Sequence, residues 1–122
     1  MGKIDFQFHR SVSDLPTPCF IFDEMEFARG IDGFKNALLK KFPNVSIGYS
    51  VKTNSLPYAM RKAKEFGCMA EVVSHDEYQL ARICGYSPSE IIYNGPMKSK
   101  ETFCEAVEGG LSTWKLSERW SG

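Results

Sequence analysis

The sequence lacks net charge: 15 Lys and Arg balance 15 Asp and Glu over 122 residues. No global field therefore draws it to DNA, RNA or an anionic membrane surface, and nucleic acid is not an expected partner. No stretch approaches the ~20 apolar residues of a membrane span. The opening segment, Met1 to Arg10, interrupts its hydrophobes with Lys3, Asp5, His9 and Arg10, which leaves no apolar core for a signal peptide. The expectation is a cytoplasmic protein with no membrane association. Histidine is scarce, with 2 in all, and Cys19, Cys68, Cys84 and Cys104 are far apart with no Cys-x-x-Cys pair. Neither a zinc site nor a disulfide framework is signalled, so no metal is expected. The four thiols are read as small buried or half-buried hydrophobes.

What is present is an ordinary globular composition, 43% hydrophobic and 25% charged, of the length of one modest domain. Pro16-Thr17-Pro18 leads stiffly into Cys19-Phe20-Ile21-Phe22, a short apolar run read as a strand ending at Asp23. Asp23 with Glu26 predicts a helix start, and Phe27, Ile31, Phe34, Leu38 and Phe42 recur at helical spacing over residues 24–42. Gly30 and Gly33 each cost that helix ~1 kcal/mol relative to Ala, so packing must hold it.

Beyond Pro43-Asn44, residues 45–52 alternate: Val45, Ile47, Tyr49 and Val51 on one face, Ser46, Gly48, Ser50 and Lys52 on the other. The large apolar face suits packing against helices, and the small polar face leaves room for something bulky beside Lys52. A helix with Pro57 in its first turn, the stripe Ala59, Met60, Ala63 and Phe66, and a stop at Gly67 follows. The cycle then repeats. Met69 to Val73 is a strand, and Ser74 with Glu77 caps a helix carrying Leu80, Ala81, Ile83 and Cys84 before Gly85. Ile91 to Asn94 is a third strand, and residues 99–108 a helix with Phe103, Ala106 and Val107 inward. Three strand-helix units with short connections argue for an α/β fold with parallel strands. Periodicity leaves open whether the sheet is doubly wound or part of a barrel. A complete barrel needs roughly 200 residues or more, so a barrel here is a partial TIM-type (β/α)8 barrel.

Four motifs stand in order from about Pro16 to Gly110: Thr17-Pro18 with the strand ending in Asp23; Tyr49-Ser50-Val51-Lys52-Thr53-Asn54; Glu71-Val72-Val73-Ser74 with Glu77; and Ile91-Ile92-Tyr93-Asn94-Gly95-Pro96 with Lys98-Ser99. In order and spacing they resemble the N-terminal part of the diaminopimelate decarboxylases, and slightly less the ornithine and arginine decarboxylases of the same fold. The resemblance implies a barrel that binds pyridoxal 5'-phosphate, a second β-domain to which the Cys19 to Phe22 strand would belong, a small amino-acid substrate, and a homodimer. It also implies decarboxylation of a basic or diamino acid, with Lys52 as the lysine that bonds to the cofactor aldehyde. Only a primary amine can make that bond and then exchange it for the substrate's amine, so Arg could not replace it. The amine must be neutral to attack, which an apolar-walled interior favours by desolvating the ammonium. Glu71 matches a position near the cofactor where the family usually has Asp, and could pair with Lys52 once its amine is released. Ser74 is read as a helix cap, and His75 as a first-turn helix residue rather than the imidazole that stacks on the cofactor. Alanine racemases share the lysine motif, but continue it with a Tyr-Gly-His-Gly type segment where this chain has Ser55-Leu56-Pro57. Small pyridoxal-phosphate homeostasis proteins share the barrel but lack the Thr-Pro strand.

The expected organisation is an N-terminal segment and strand over residues 1–23, a partial cofactor-binding barrel over 24–110, and a divergent tail over 111–122. In that tail, Leu111-Ser112-Thr113-Trp114-Lys115 does not alternate as a strand should; a frameshift or truncation is one reading and an ordinary divergent terminus the other, which the gene's nucleotide sequence would decide. Without the glycine-rich phosphate loop, the stacking imidazole and the acid facing the pyridine nitrogen, the chain alone is expected to show no decarboxylase activity. The alternative is a non-catalytic cofactor-binding or interaction fragment.

Overall fold

A computed structural model describes residues 12–94, 104, 107–110 and 113–114. The order is α1 (Glu24–Leu39), β1 (Gly48–Ser50), α2 (Pro57–Glu65), β2 (Met69–Val72), α3 (His75–Ile83), β3 (Ile91–Tyr93) and β4 (Thr113–Trp114). Short 3-10 turns lie at Val12–Asp14 and Pro88–Glu90.

The four strands form one sheet in sequence order, every neighbouring pair parallel. Ser50 stands opposite Glu71, and Glu71 opposite Ile92. A doubly wound sheet reverses its order at a switch point and is covered on both faces. Among the described residues the order does not reverse and the helices that pack on the sheet share one face. On β2, Ala70 and Val72 are fully buried while Met69 and Glu71 are only half-buried. On β3, Ile91 and Tyr93 are buried and Ile92 is half-buried. The buried set packs with Val51, Met60 of α2 and Tyr78, Ala81 and Cys84 of α3 in a single core. Helices therefore cover one face, as in a segment of a barrel wall.

Each helix begins and ends where its sequence provides partners for the free backbone groups. Asp23 accepts from the Glu26 amide at 2.9 Å. Ser74 accepts from the Glu77 amide at 3.2 Å, while the Glu77 carboxylate turns back to the Val73 amide at 2.8 Å. Pro57 occupies the first turn of α2, where a missing N–H costs nothing. Gly67 and Gly85 follow α2 and α3 at φ 79° and 98°, a backbone region that side chains disfavour.

Several expectations need correction. Cys19 to Phe22 forms no strand: it has no ladder partner among the described residues, and Phe20 is fully exposed. α1 stops at Leu39, so Phe42 falls beyond it, and Phe34 of its expected apolar stripe is exposed. α1 buries no residue completely. Ile83 is exposed, because α3 turns Tyr78 and Ala81 to the sheet, and Val107 is exposed rather than inward. Phe103 and Ala106 lie outside the described residues, as do Gly95, Pro96, Lys98 and Ser99. The tail contributes a strand after all: Thr113 and Trp114 pair with Ile92 and Tyr93, because ladder bonds come from the backbone and tolerate a pattern that does not alternate. Of the thiols, Cys68 and Cys84 are buried as expected, but Cys19 and Cys104 are exposed; all four are free.

Candidate functional site at the carboxyl edge of the sheet

Parallel strands end at a common edge, and in singly wound α/β folds that edge carries the chemistry. Here it is formed by the exits from β1, β2 and β3: Ser50 to Asn54, Val73-Ser74, and Asn94. Lys52 sits in the first of these, two residues beyond β1. It is exposed and makes no hydrogen bond or ion pair among the described residues. The desolvating surroundings expected for its amine are thus not supplied by the described residues. The expected parity is kept by Gly48 on the open face and by Tyr49 and Val51 against the core. At Lys52 the chain is already turning, so alternation no longer dictates its direction.

The Lys52 turn is bonded on all sides. The Val51 amide donates to the Glu71 carbonyl at 3.0 Å, extending the β1–β2 ladder one step. The Thr53 and Asn54 amides donate to the Ser50 carbonyl at 3.2 and 3.4 Å, closing the turn around Lys52. The Asn54 side-chain oxygen accepts from the Leu56 amide at 3.0 Å, leading into α2. The Tyr49 hydroxyl donates to the Asn54 carbonyl at 2.8 Å. Burial raises the Tyr49 phenol's pKa, which keeps the donor proton in place.

Glu71 lies on the open face at the centre of the sheet, where its Oε1 accepts from the Asn94 side-chain nitrogen at 2.8 Å. Its described partner is therefore Asn94, and no Lys52–Glu71 ion pair is formed among the described residues. Gly48 keeps the neighbouring floor low: a Cβ there would stand 3.3 Å from Ile92 Cδ1 and 3.6 Å from Glu71 Cβ. Ser74 and His75 are the cap and first residue of α3, as expected. The sequence marks Tyr49 only as part of the apolar face and Asn94 only as the end of the third strand, with no hydrogen-bonding role for either. The available signal was position, since each is a hydrogen-bonding side chain at the carboxyl end of a strand.

Behind this edge, rings tie α1 to the barrel wall. Phe27 meets Tyr49 at 6.1 Å in an edge-to-face arrangement and Phe66 at 6.5 Å, and Phe22 meets Tyr58 at 5.4 Å. Glu24 accepts from the Tyr58 hydroxyl at 2.6 Å and pairs with Lys62 at 3.0 Å. No described group of His, Cys, Asp and Glu residues could hold a metal ion, and no described helix is long and apolar enough to cross a membrane.

Comparison with known proteins places this architecture. The probable chloroplastic diaminopimelate decarboxylase of Oryza sativa subsp. japonica is 31% identical over 97 residues, which cover 78% of this chain and 19% of that protein. The crystal structure of diaminopimelate decarboxylase from M. jannaschii superposes with a TM-score of 0.68 at 25% identity, over 85% of this chain and 25% of that one. The Helicobacter pylori diaminopimelate decarboxylase complexed with L-lysine shares the fold, with a TM-score of 0.70 at 22% identity over 84% of this chain and 25% of that one. This chain thus spans about a fifth to a quarter of the length of the proteins it matches. The family model for the pyridoxal-dependent decarboxylase pyridoxal binding domain matches residues 30–118, most of the chain and part of its tail. The chain therefore belongs to the pyridoxal-dependent decarboxylases, within their pyridoxal binding domain, and the cofactor of that family is pyridoxal 5'-phosphate.

Proposed function

We propose that this chain is the cofactor-binding part of a decarboxylase acting on diaminopimelate or a similar basic or diamino acid, with Lys52 as the residue that bonds to pyridoxal 5'-phosphate. The observation that carries the reading is the position of Lys52: a primary amine without an ion-pair partner among the described residues, on a firmly bonded turn at the carboxyl edge of a one-sided parallel sheet.

The residues present fit the group. An aldehyde needs an accessible primary amine, and Lys52 is exposed. A flat ring needs a low surface on the open face, and the absence of a side chain at Gly48, four residues before Lys52, leaves one against Glu71 and Ile92. Glu71, on that surface, is the second cofactor-side residue, held in place by Asn94. When bound, the cofactor supplies an electron-withdrawing ring that takes up the charge left as the substrate's carboxylate departs. The chain's own residues then have two tasks. The Lys52 turn holds the amine at one place so that its exchange with the substrate amine is effectively intramolecular. Glu71 offers a carboxylate that can receive the lysine once it is released as an ammonium.

Diaminopimelate is favoured as substrate by the rice and M. jannaschii proteins, both named as its decarboxylases, and a basic amino-acid ligand by the lysine complex of the H. pylori protein. A homodimer, as the family resemblance implies, is part of the proposal.

Incubation with pyridoxal 5'-phosphate, borohydride reduction and peptide mapping test the lysine: label concentrated at Lys52 and lost in Lys52→Ala is expected. Label spread evenly over surface lysines would sink the assignment. Carbon dioxide release from diaminopimelate, ornithine and lysine then separates turnover from binding alone.

A further inference from the structure

We infer that Tyr49 is a positioning residue for Lys52, acting as a clamp that holds the lysine turn shut from the side opposite the cofactor; this rests on the reading of Lys52 given above. Tyr49 precedes Lys52 by three residues and Asn54 follows it by two, and the 2.8 Å bond from the Tyr49 hydroxyl to the Asn54 carbonyl joins the two flanks directly. Lys52 is thereby enclosed in a ring made of the chain from 49 to 54 and one side-chain bond. The turn's inner bonds, from the Thr53 and Asn54 amides to the Ser50 carbonyl, are long at 3.2 and 3.4 Å. The shorter phenol bond is the firmer constraint on its outer limb.

Tyr49 is itself fixed. Its ring packs against the core and meets Phe27 of α1 edge-to-face at 6.1 Å. It lies on the helix-covered side of β1, whereas Gly48 faces Glu71 and Ile92 on the open side. Tyr49 thus reaches the turn from behind, without occupying the floor beside Lys52. A phenylalanine would fill the same space but leave the Asn54 carbonyl without this donor. The effect should fall on the placement of the Lys52 amine and leave the core intact.

The test compares wild type with Tyr49→Phe as the full 122-residue chain. Two readouts are used: borohydride-trapped pyridoxal 5'-phosphate mapped lysine by lysine, and amide exchange along residues 48–56. The expected result for Y49F is about a fivefold loss of label at Lys52 at subsaturating cofactor, the size set by one net hydrogen bond. Label at Lys40 and Lys41 should not change. Exchange should accelerate at Thr53, Asn54 and Leu56 but not at Val51, whose amide is held by Glu71. Equal labelling of Lys52 in both proteins, with unchanged exchange, overturns the clamp. Faster exchange throughout β1 and β2 overturns it too, since Tyr49 would then be a core residue only. If wild-type Lys52 takes no label, the cofactor assignment fails, while local exchange still decides whether Tyr49 closes the turn.

Discussion

The Asn94 side-chain nitrogen donates to Glu71 Oε1 at 2.8 Å, so the acid at the centre of the open face is held by the residue that leaves β3. The Asn94 backbone is held too, its amide donating to the Val72 carbonyl at 2.8 Å. Asn94→Asp would set two carboxylates against each other while keeping the shape. Asp offers no N–H to Glu71 Oε1, so the donor is lost and like groups face each other. The variant should lose up to about 1 kcal/mol. Urea titration against wild type checks this, and an unchanged midpoint would mean that the Asn94–Glu71 contact does not stabilise the fold.

Glu24 and Glu90 should shape the acid limb of stability. Hydrogen bonds from Tyr58 and Lys62 hold the Glu24 carboxyl below its ordinary value of 4.5, and Lys64 with the Ser87 amide does the same for Glu90. A group depressed in the folded state contributes stability that is complete above its unfolded value and is lost as pH falls through the folded one. The thermal midpoint should therefore drop as pH is lowered below 4.5. Glu90→Gln, which gives up the 2.6 Å ion pair with Lys64, should be less stable at neutral pH and show a shallower acid drop. A parallel pair of pH profiles would exclude Glu90 as a source.

These carboxylates also mark where the sequence was legible. Helix starts at Asp23 and Ser74 could be read because the cap is local, made by side chains within three residues of the amides they accept. Alternation gave the two faces of β1, with Gly48 on the open side and Tyr49 and Val51 against the core, for the same reason. The Glu90–Lys64, Tyr86–Met60 and Asn94–Glu71 contacts join residues 26, 26 and 23 positions apart, and no local pattern announces them. Cys19 to Phe22 has a strand's composition, but β-branched and aromatic residues favour a strand without guaranteeing an edge to pair with. Lys52 was readable as a candidate through its motif, whereas the turn that holds it was not.

Gly30 and Gly33 offer stabilising changes. Both are exposed in α1, and a Cβ at either would meet nothing within 4 Å. Replacing each by Ala should raise stability by about 1 kcal/mol, visible as a higher denaturant midpoint. No gain at either site would show that α1 is already frayed there before the chain unfolds.

Tyr86→Phe should do the reverse. The Tyr86 hydroxyl is buried and donates to the Met60 carbonyl at 2.7 Å, joining α2 to the segment that enters β3. Its removal should cost about 1 kcal/mol with little change in the aromatic packing. Chemical denaturation measures the loss, and a neutral result would mean that water or a neighbouring amide replaces the donor.

Gly48→Ala should separate stability from binding. The new methyl would press on Ile92 Cδ1, the free end of a flexible side chain, so the fold should absorb it at small cost. The same methyl raises the open face next to Glu71 and Ile92, where the cofactor is proposed to lie. Cofactor trapped at Lys52 should fall while the denaturant midpoint moves little; trapping at the wild-type level would show that the cofactor does not lie over Gly48.

Among the described residues the helices that pack on the sheet share one face, and the other face sets what this part of the chain can select. Strands run about 4.8 Å apart, so the open face from β1 to β3 is roughly 10 Å wide, the span of one heteroaromatic ring with its contact shell. Such a surface is one half of a mould. On the proposal that the cofactor lies there, what it can recognise is the cofactor's own flat ring, with Glu71 on the strand between β1 and β3. Discrimination among amino acids by length or terminal charge requires an opposing wall, so substitutions on this floor should change how tightly the cofactor is held and leave the ranking of substrates as it was.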